Sequence, residues 1–243
     1  GPRRGRLDRV RLYRDNAVVL RQHKLGEADR IITLLTRQHG RVRAVARGVR
    51  RTSSRWGSRL EPFTHVDLQL ADGRSLDTIT QAETLTPFAG RMGGDYERYT
   101  AGTVMLETAE RLVTEEREPA TQQFLLLVGG LRAMAAGELG PGQVLDSYLL
   151  RSLSVAGYAP TFDGCARCGL EGPHRWFNAS MGGVLCTTCR GPGSASPSEG
   201  TVVVLGALLA GDWAVVGAFA VSAYRAGTER GNLGITTEVA TLV

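Results

Sequence analysis

Four cysteines are the residues best placed to do chemistry. Cys165-Ala166-Arg167-Cys168 and Cys186-Thr187-Thr188-Cys189 make two C-x-x-C pairs, and the chain has no cysteine outside them. Each pair presents two thiolates to one point from a single turn, and four thiolates in a tetrahedron are the ligand set of a structural zinc site. Gly169 follows the first pair and suits the tight knuckle turn. A closed set of four leaves no open position for a catalytic water, so one structural zinc per chain is expected; His174 is the alternative fourth ligand. A redox C-x-x-C is normally single, and two disulfides would require an oxidising compartment. The Arg-rich start of the chain lacks the apolar core of a secretory signal, which argues against that.

The second chemical feature is charge. Residues 1–60 hold 17 basic and 4 acidic residues, a local balance of +13, which leaves −8 on the remaining 183. Lys24 is the only lysine, and arginine's planar fork suits phosphate oxygens and stacks on bases. A cationic end on an otherwise mildly acidic chain reads as a surface for a polyanion. The candidate nucleic-acid contacts are Arg14, Arg21, Lys24, Arg30, Arg37, Arg41, Arg43, Arg47, Arg50, Arg51, Arg55 and Arg59. Trp56, between Arg55 and Arg59, can stack on a base; its other reading is a core residue at the base of a loop.

The elements that must position these residues differ along the chain. Asn16–His23, Ile31–Thr36, Arg41–Arg47, His65–Leu70 and Leu76–Thr84 read as short strands separated by turn signals at Gly26, Gly40, Arg55–Ser58 and Gly73. Five such strands fit a small β-barrel of the oligonucleotide-binding (OB) type. Alternation puts Arg41, Arg43 and Arg47 on one face, with Val42, Ala44 and Ala46 packing behind them. From Asp95 the period becomes helical. Tyr96–Val113 predicts a helix stopped before Pro119, Phe124–Met134 a second, and Val144–Ala156 a third. Val202–Val221 is a 20-residue stretch with one charge, Asp212. It is long enough to span a bilayer, but the central carboxylate and nearly absent flanking basic residues favour a buried helical segment.

The fold class expected is therefore α+β: an OB-fold barrel over 1–88, a helical domain over 89–162 and 192–243, and a zinc-knuckle insert over 163–191. Beyond composition and spacing, particular stretches resemble a known family. Tyr13-Arg14-Asp15, Ala17–Arg21, Leu25–Ile31, Gly40–Arg51 and Leu60-Glu61-Pro62-Phe63 are similar to the N-terminal domain of the bacterial RecO family. Tyr99, Leu106-Glu107, Tyr148–Arg151 and the Cys165–Cys189 insert continue the likeness. The resemblance implies a DNA repair and recombination mediator that is not an enzyme. Such a protein has an OB-fold, a helical domain and a zinc knuckle, and binds single- and double-stranded DNA. It anneals complementary strands, engages the single-strand binding protein, and works with RecR to load RecA. That role places it in the cytoplasm at the nucleoid, away from membranes. One stretch departs from the family, whose members usually finish with a charged amphipathic helix. Here Ala214–Val243 is rich in Gly and Val, with few charges and no clear helical stripe.

Two rivals come from other classes. A metal-dependent nuclease would need carboxylates converging on Mg²⁺, and Asp15, Glu27 and Asp29 are the only acids of the cationic stretch beyond Asp8. Asp29 and Arg30 read better as a pair or a turn cap. A zinc-bearing RNA-binding or transcription-associated module also fits the composition.

Overall fold

A computed structural model describes residues 11–51 and 54–225. The chain forms two compact units, residues 1–135 and 136–243. In the first, five strands close into a barrel in the order β1-β2-β3-β5-β4: β1 Leu12–Leu25, β2 Asp29–Thr36, β3 Arg41–Ala46, β4 Thr64–Ala71 and β5 Asp77–Pro87. β1 is long enough to serve two neighbours. Its first half pairs with β4 and its second with β2, with a register shift between Val19 and Arg21 where the strand bends. All neighbours are antiparallel except β3 and β5, which meet in parallel only at Ala44–Asp77 and Val45–Thr78.

Alternation explains the barrel interior. Ala17, Val19, Ile32, Leu34, Val42, Ala44, Val66, Leu68, Leu70 and Ile79 point inward and are buried, and Trp56 and Leu60 complete the same cluster. The β3 expectation holds in detail: Val42, Ala44 and Ala46 are inside, whereas Arg43 and Arg47 are exposed and Arg41 is half-buried.

Helices α1 Ala89–Met92, α2 Tyr96–Leu112 and α3 Thr121–Ala136 follow. Asp95 starts α2: its side chain accepts from the Arg98 amide at 3.1 Å and pairs with the Arg98 guanidinium at 3.0 Å. Between α2 and α3 the chain returns to the barrel. Glu116 bridges to Gly40 and Arg41, and the Arg117 amide donates to the Arg41 carbonyl at 3.0 Å. Gly40, at φ +60°, is required there, because a Cβ would lie 1.8 Å from the Glu118 carbonyl oxygen.

The second unit holds α4 Pro141–Val155, a two-stranded sheet of β6 Trp176–Asn178 and β7 Gly183–Leu185, α5 Glu199–Ala210 and α6 Trp213–Arg225. The Ser147 hydroxyl joins α4 to α5 by donating to the Leu208 carbonyl at 2.7 Å. Two expectations need correction here. Val202–Val221 is two helices rather than one segment, broken where Gly211 takes a left-handed conformation and Asp212 caps α6 by accepting from the Val215 amide at 3.2 Å. That cap explains the lone charge. Trp213–Arg225 is helical although no stripe marked it, because the residues before Tyr224 are all apolar or small; 226–243 lie outside the described residues. No helix of the described residues is long and apolar enough to cross a membrane.

Candidate metal centre and nucleic-acid interface

The cysteine insert is built from two turns and the β6–β7 pair around a small core. Cys165 sits in a knuckle whose carbonyl accepts from the Gly169 amide at 2.8 Å, with Gly169 at φ +73°. Cys186 directly follows β7, and its carbonyl accepts from the Cys189 and Arg190 amides, both at 3.1 Å. The Ala166 amide donates to the Val184 carbonyl at 2.8 Å, which ties the two knuckles together. The buried cluster of the insert is Cys165, Leu185 and Cys186, backed by Ala166, Trp176 and Cys189. The Arg190 guanidinium lies 4.3 Å above the Trp176 ring and covers its open side.

The four sulfurs lie within 4.8 Å of one another, and the Cys168 and Cys186 sulfurs are 3.9 Å apart. A tetrahedral metal with bonds of about 2.3 Å separates its sulfurs by about 3.8 Å, whereas a disulfide closes them to about 2.05 Å. All four are free thiols spaced for one ion. Backbone amides, that of Cys186 foremost, hold the Cys165 thiol down to about 6. Neighbouring sulfurs, Cys186 first, push Cys189 up to about 12. The Cys165 thiolate is thus favoured and Cys189 resists ionising beside it. A cation at the centre removes that conflict. Among the described residues, this quartet is the only group of three or more His, Cys, Asp or Glu side chains arranged to hold a metal ion.

The cationic candidates separate into two sets. Five are held by acids of the same unit. Arg14 pairs with Asp67 at 3.0 Å, Arg21 with Glu110 at 2.6 Å, and Arg30 with Glu61 at 3.4 Å. Arg43 and Arg41 share Glu116, at 2.6 and 3.8 Å. Arg41 also donates to the Thr114 carbonyl at 2.6 Å and the Glu110 carbonyl at 3.4 Å. The second set, Lys24, Arg37, Arg47, Arg50, Arg51, Arg55 and Arg59, is exposed and has no acidic partner among the described residues. All but Lys24 and Arg37 lie on the segment joining β3 to β4. That segment is tied to the β1–β2 turn beside Lys24. The Arg50 amide donates to the Ala28 carbonyl at 3.0 Å, the Arg50 guanidinium to the Gly26 carbonyl at 3.1 Å, and the Gly48 amide to Asp29 at 2.7 Å. Asp29 is therefore the turn cap its sequence position suggested.

Trp56 is a core residue, 2% exposed, and its ring is packed in the barrel instead of being offered to a base. Its indole donates to the Arg47 carbonyl, and the Arg55 guanidinium lies 4.2 Å over its ring. Residues that sequence reasoning missed are Glu110, Glu116 and Arg117. Arg117, at φ +65°, clamps the α2–α3 loop to the barrel through Asp72 at 3.0 Å and buried Asp77 at 2.5 Å. Asp77 also accepts from the Tyr13 hydroxyl. The acid run Glu115-Glu116-Arg117-Glu118 was the available signal, but it names no partner.

Comparison with known proteins places both halves of the chain. Residues 10–88 match the family model described as recombination protein O N terminal, and residues 93–227 match recombination protein O C terminal. A DNA repair protein RecO of Nocardioides sp. is 80% identical over 208 residues, covering 84% of this chain and 85% of that protein. The RecO protein of Streptomyces avermitilis is 62% identical over 208 residues, 83% and 84% of the two chains. That of Cutibacterium acnes is 53% identical over 220 residues, 89% of each. With a five-stranded barrel, a helical region carrying a four-cysteine cluster, and both family models matched, this chain belongs to the RecO family of DNA repair proteins.

Proposed function

We propose that this chain is a non-enzymatic recombination mediator. It binds single- and double-stranded DNA through the barrel and anneals complementary strands. With RecR, it helps RecA load onto single strands coated by the single-strand binding protein. The observation that carries this reading is the run of cations on the β3–β4 segment that have no acidic partner among the described residues, tied to the β1–β2 turn. Such a run neutralises phosphates without reading bases, and releases counterions as it does so. Arg47, Arg50, Arg51, Arg55 and Arg59, with Lys24 and Arg37, are the proposed first contacts.

Other features support the same reading. The relatives named above are DNA repair proteins by name. Two of the acids that a nuclease would require, Asp15 and Asp29, are used by the fold. Asp15 is buried and accepts from the Gln38 and His39 amides at 3.0 and 3.2 Å and from the His39 ring at 2.7 Å, and Asp29 caps Gly48. The division of labour proposed is 1–88 for DNA, 163–191 for metal, and 89–162 with 192–243 as helical framework. The metal proposed is one structural zinc on Cys165, Cys168, Cys186 and Cys189, which when bound supplies folding energy to an insert whose own core is small. A cytoplasmic location at the nucleoid follows from this role.

Strand annealing tests the proposal. Complementary oligonucleotides should pair faster with the protein, without a nucleotide cofactor, and with less acceleration at high salt. The strands should stay full length when Mg²⁺ or Mn²⁺ is added. Shortened products would favour a nuclease instead, and intact strands with no acceleration would leave a passive binding module.

A further inference from the structure

Resting on that reading, we infer that Glu110 and Glu116 occupy phosphate positions on the barrel, and that Arg21 and Arg43 form a second strand-binding subsite. A nucleic-acid strand takes this subsite by displacing the two carboxylates. Arg21 of β1 and Arg43 of β3 both stand opposite Thr33 of β2 in the sheet register. Directly paired residues share a face, so the two arginines flank one position roughly 10 Å apart, two strand spacings. Each is met by a single carboxylate oxygen at 2.6 Å.

Two observations make the exchange feasible. The Arg21 and Arg43 side chains are 54% and 47% exposed, so a strand reaches them without unfolding anything. The backbone that carries Glu116 is held by other bonds: its bridge to Gly40 and Arg41, the Arg117 amide, and the Arg117 clamp on Asp72 and Asp77. Glu110 is carried by helix α2, so both carboxylates can swing away while the chain stays in place. Arg41 differs, being 22% exposed and bound to two carbonyls, and it serves as a structural clamp.

The consequence is conditional binding. Phosphate and carboxylate both accept from an arginine fork, so the exchange conserves the arginine's contacts and offers little net gain by itself. It becomes favourable once a strand is held nearby, because the local phosphate concentration rises. A strand on Arg50 and Arg55 would provide that. An annealing protein needs this property: a first strand bound firmly and a second held loosely enough to leave as duplex.

The test is the double variant Glu110→Gln/Glu116→Gln, which keeps a hydrogen-bonding side chain at each position. Binding of a single-stranded oligothymidylate is measured by anisotropy across a salt series, with circular dichroism to check the fold. Freed arginines should tighten binding roughly tenfold at low salt, given two exposed ion pairs removed, and steepen the log–log salt slope by about one. Adding Arg43→Gln should remove part of that gain. The charge-matched control Glu97→Gln/Glu107→Gln removes two exposed acids of α2 that hold no arginine among the described residues, and should give a smaller effect. Equal gains in the control and test variants, or no gain, overturn the exchange. Wild-type protein that binds no oligonucleotide overturns the functional reading as well.

Discussion

The indole nitrogen of Trp56 lies 2.9 Å from the Arg47 carbonyl oxygen, joining the two ends of the cationic segment through the barrel core. Trp56→Ala should therefore cost about 3–5 kcal/mol of stability by leaving a cavity, with DNA affinity falling because the segment loses its anchor. Trp56→Phe keeps most of the packing and should lose about 1 kcal/mol for the hydrogen bond, with nearly normal DNA binding. Thermal melts beside anisotropy titrations check this. Normal stability with strongly reduced affinity in Trp56→Phe would restore a base-stacking role.

The salt dependence of DNA binding should report the unpaired cations. Replacing Lys24, Arg47 and Arg51 together, exposed cations whose side chains hold no part of the fold among the described residues, should lower the slope by about two for single strands, with little change in the melting temperature. Arg41→Gln should do the reverse: a clear loss of stability, because its guanidinium holds the Glu110 carbonyl at the end of α2 and the Thr114 carbonyl just after it, and a small change in slope. The same melts and salt titrations read both.

The contrast between those arginines shows where sequence information is local and where it is not. Val42, Ala44 and Ala46 alternate with Arg41 and Arg43, so the strand and its inner face follow from neighbours two residues apart. The cysteine quartet is equally local, because each C-x-x-C turn fixes its own pair of ligands. Nothing near Arg21 or Arg43 signals that Glu110 and Glu116, 89 and 73 residues away, will neutralise them. Charge counting sees a cation but not its partner. Trp56 misleads for a related reason: flanking arginines suggest a surface, while the chain turns the ring into the barrel beside Leu60. The break at Gly211-Asp212 is different again. A helix-ending glycine and a capping aspartate were both visible, but the apolar run around them dominated the reading.

Metal removal should act on the insert and spare the barrel. Freshly purified protein should contain one zinc per chain by elemental analysis. A strong chelator, or Cys165→Ser, should expose residues 163–190 to proteolysis while residues 11–88 remain protected, because the insert is small and its cysteines are part of its core: Cys165, Leu185 and Cys186 form one buried cluster. Protein without metal whose insert resists protease would show that packing alone sustains it.

Acid should loosen the contact between the barrel and α3. His65 of β4 meets Phe124 edge to face, with ring centroids 5.8 Å apart, and its Nε2 is buried with no hydrogen-bond partner among the described residues. Burial first, and the nearby Arg132 guanidinium second, lower its pKa from the ordinary 6.5. The folded state therefore binds this proton less readily than the unfolded chain does. Stability from the neutral ring is fully present above about pH 6.5 and is lost as pH falls toward the lowered folded value, since the unfolded state takes up the proton first. Replacing His65 by Gln removes the titrating group. The stability difference between wild type and His65→Gln, measured by urea unfolding, should hold constant above about pH 7 and shift against the wild type as the pH drops to about 5. A difference that stays flat over the whole range would mean that the His65 ring is solvated in the folded protein and does not couple α3 docking to pH.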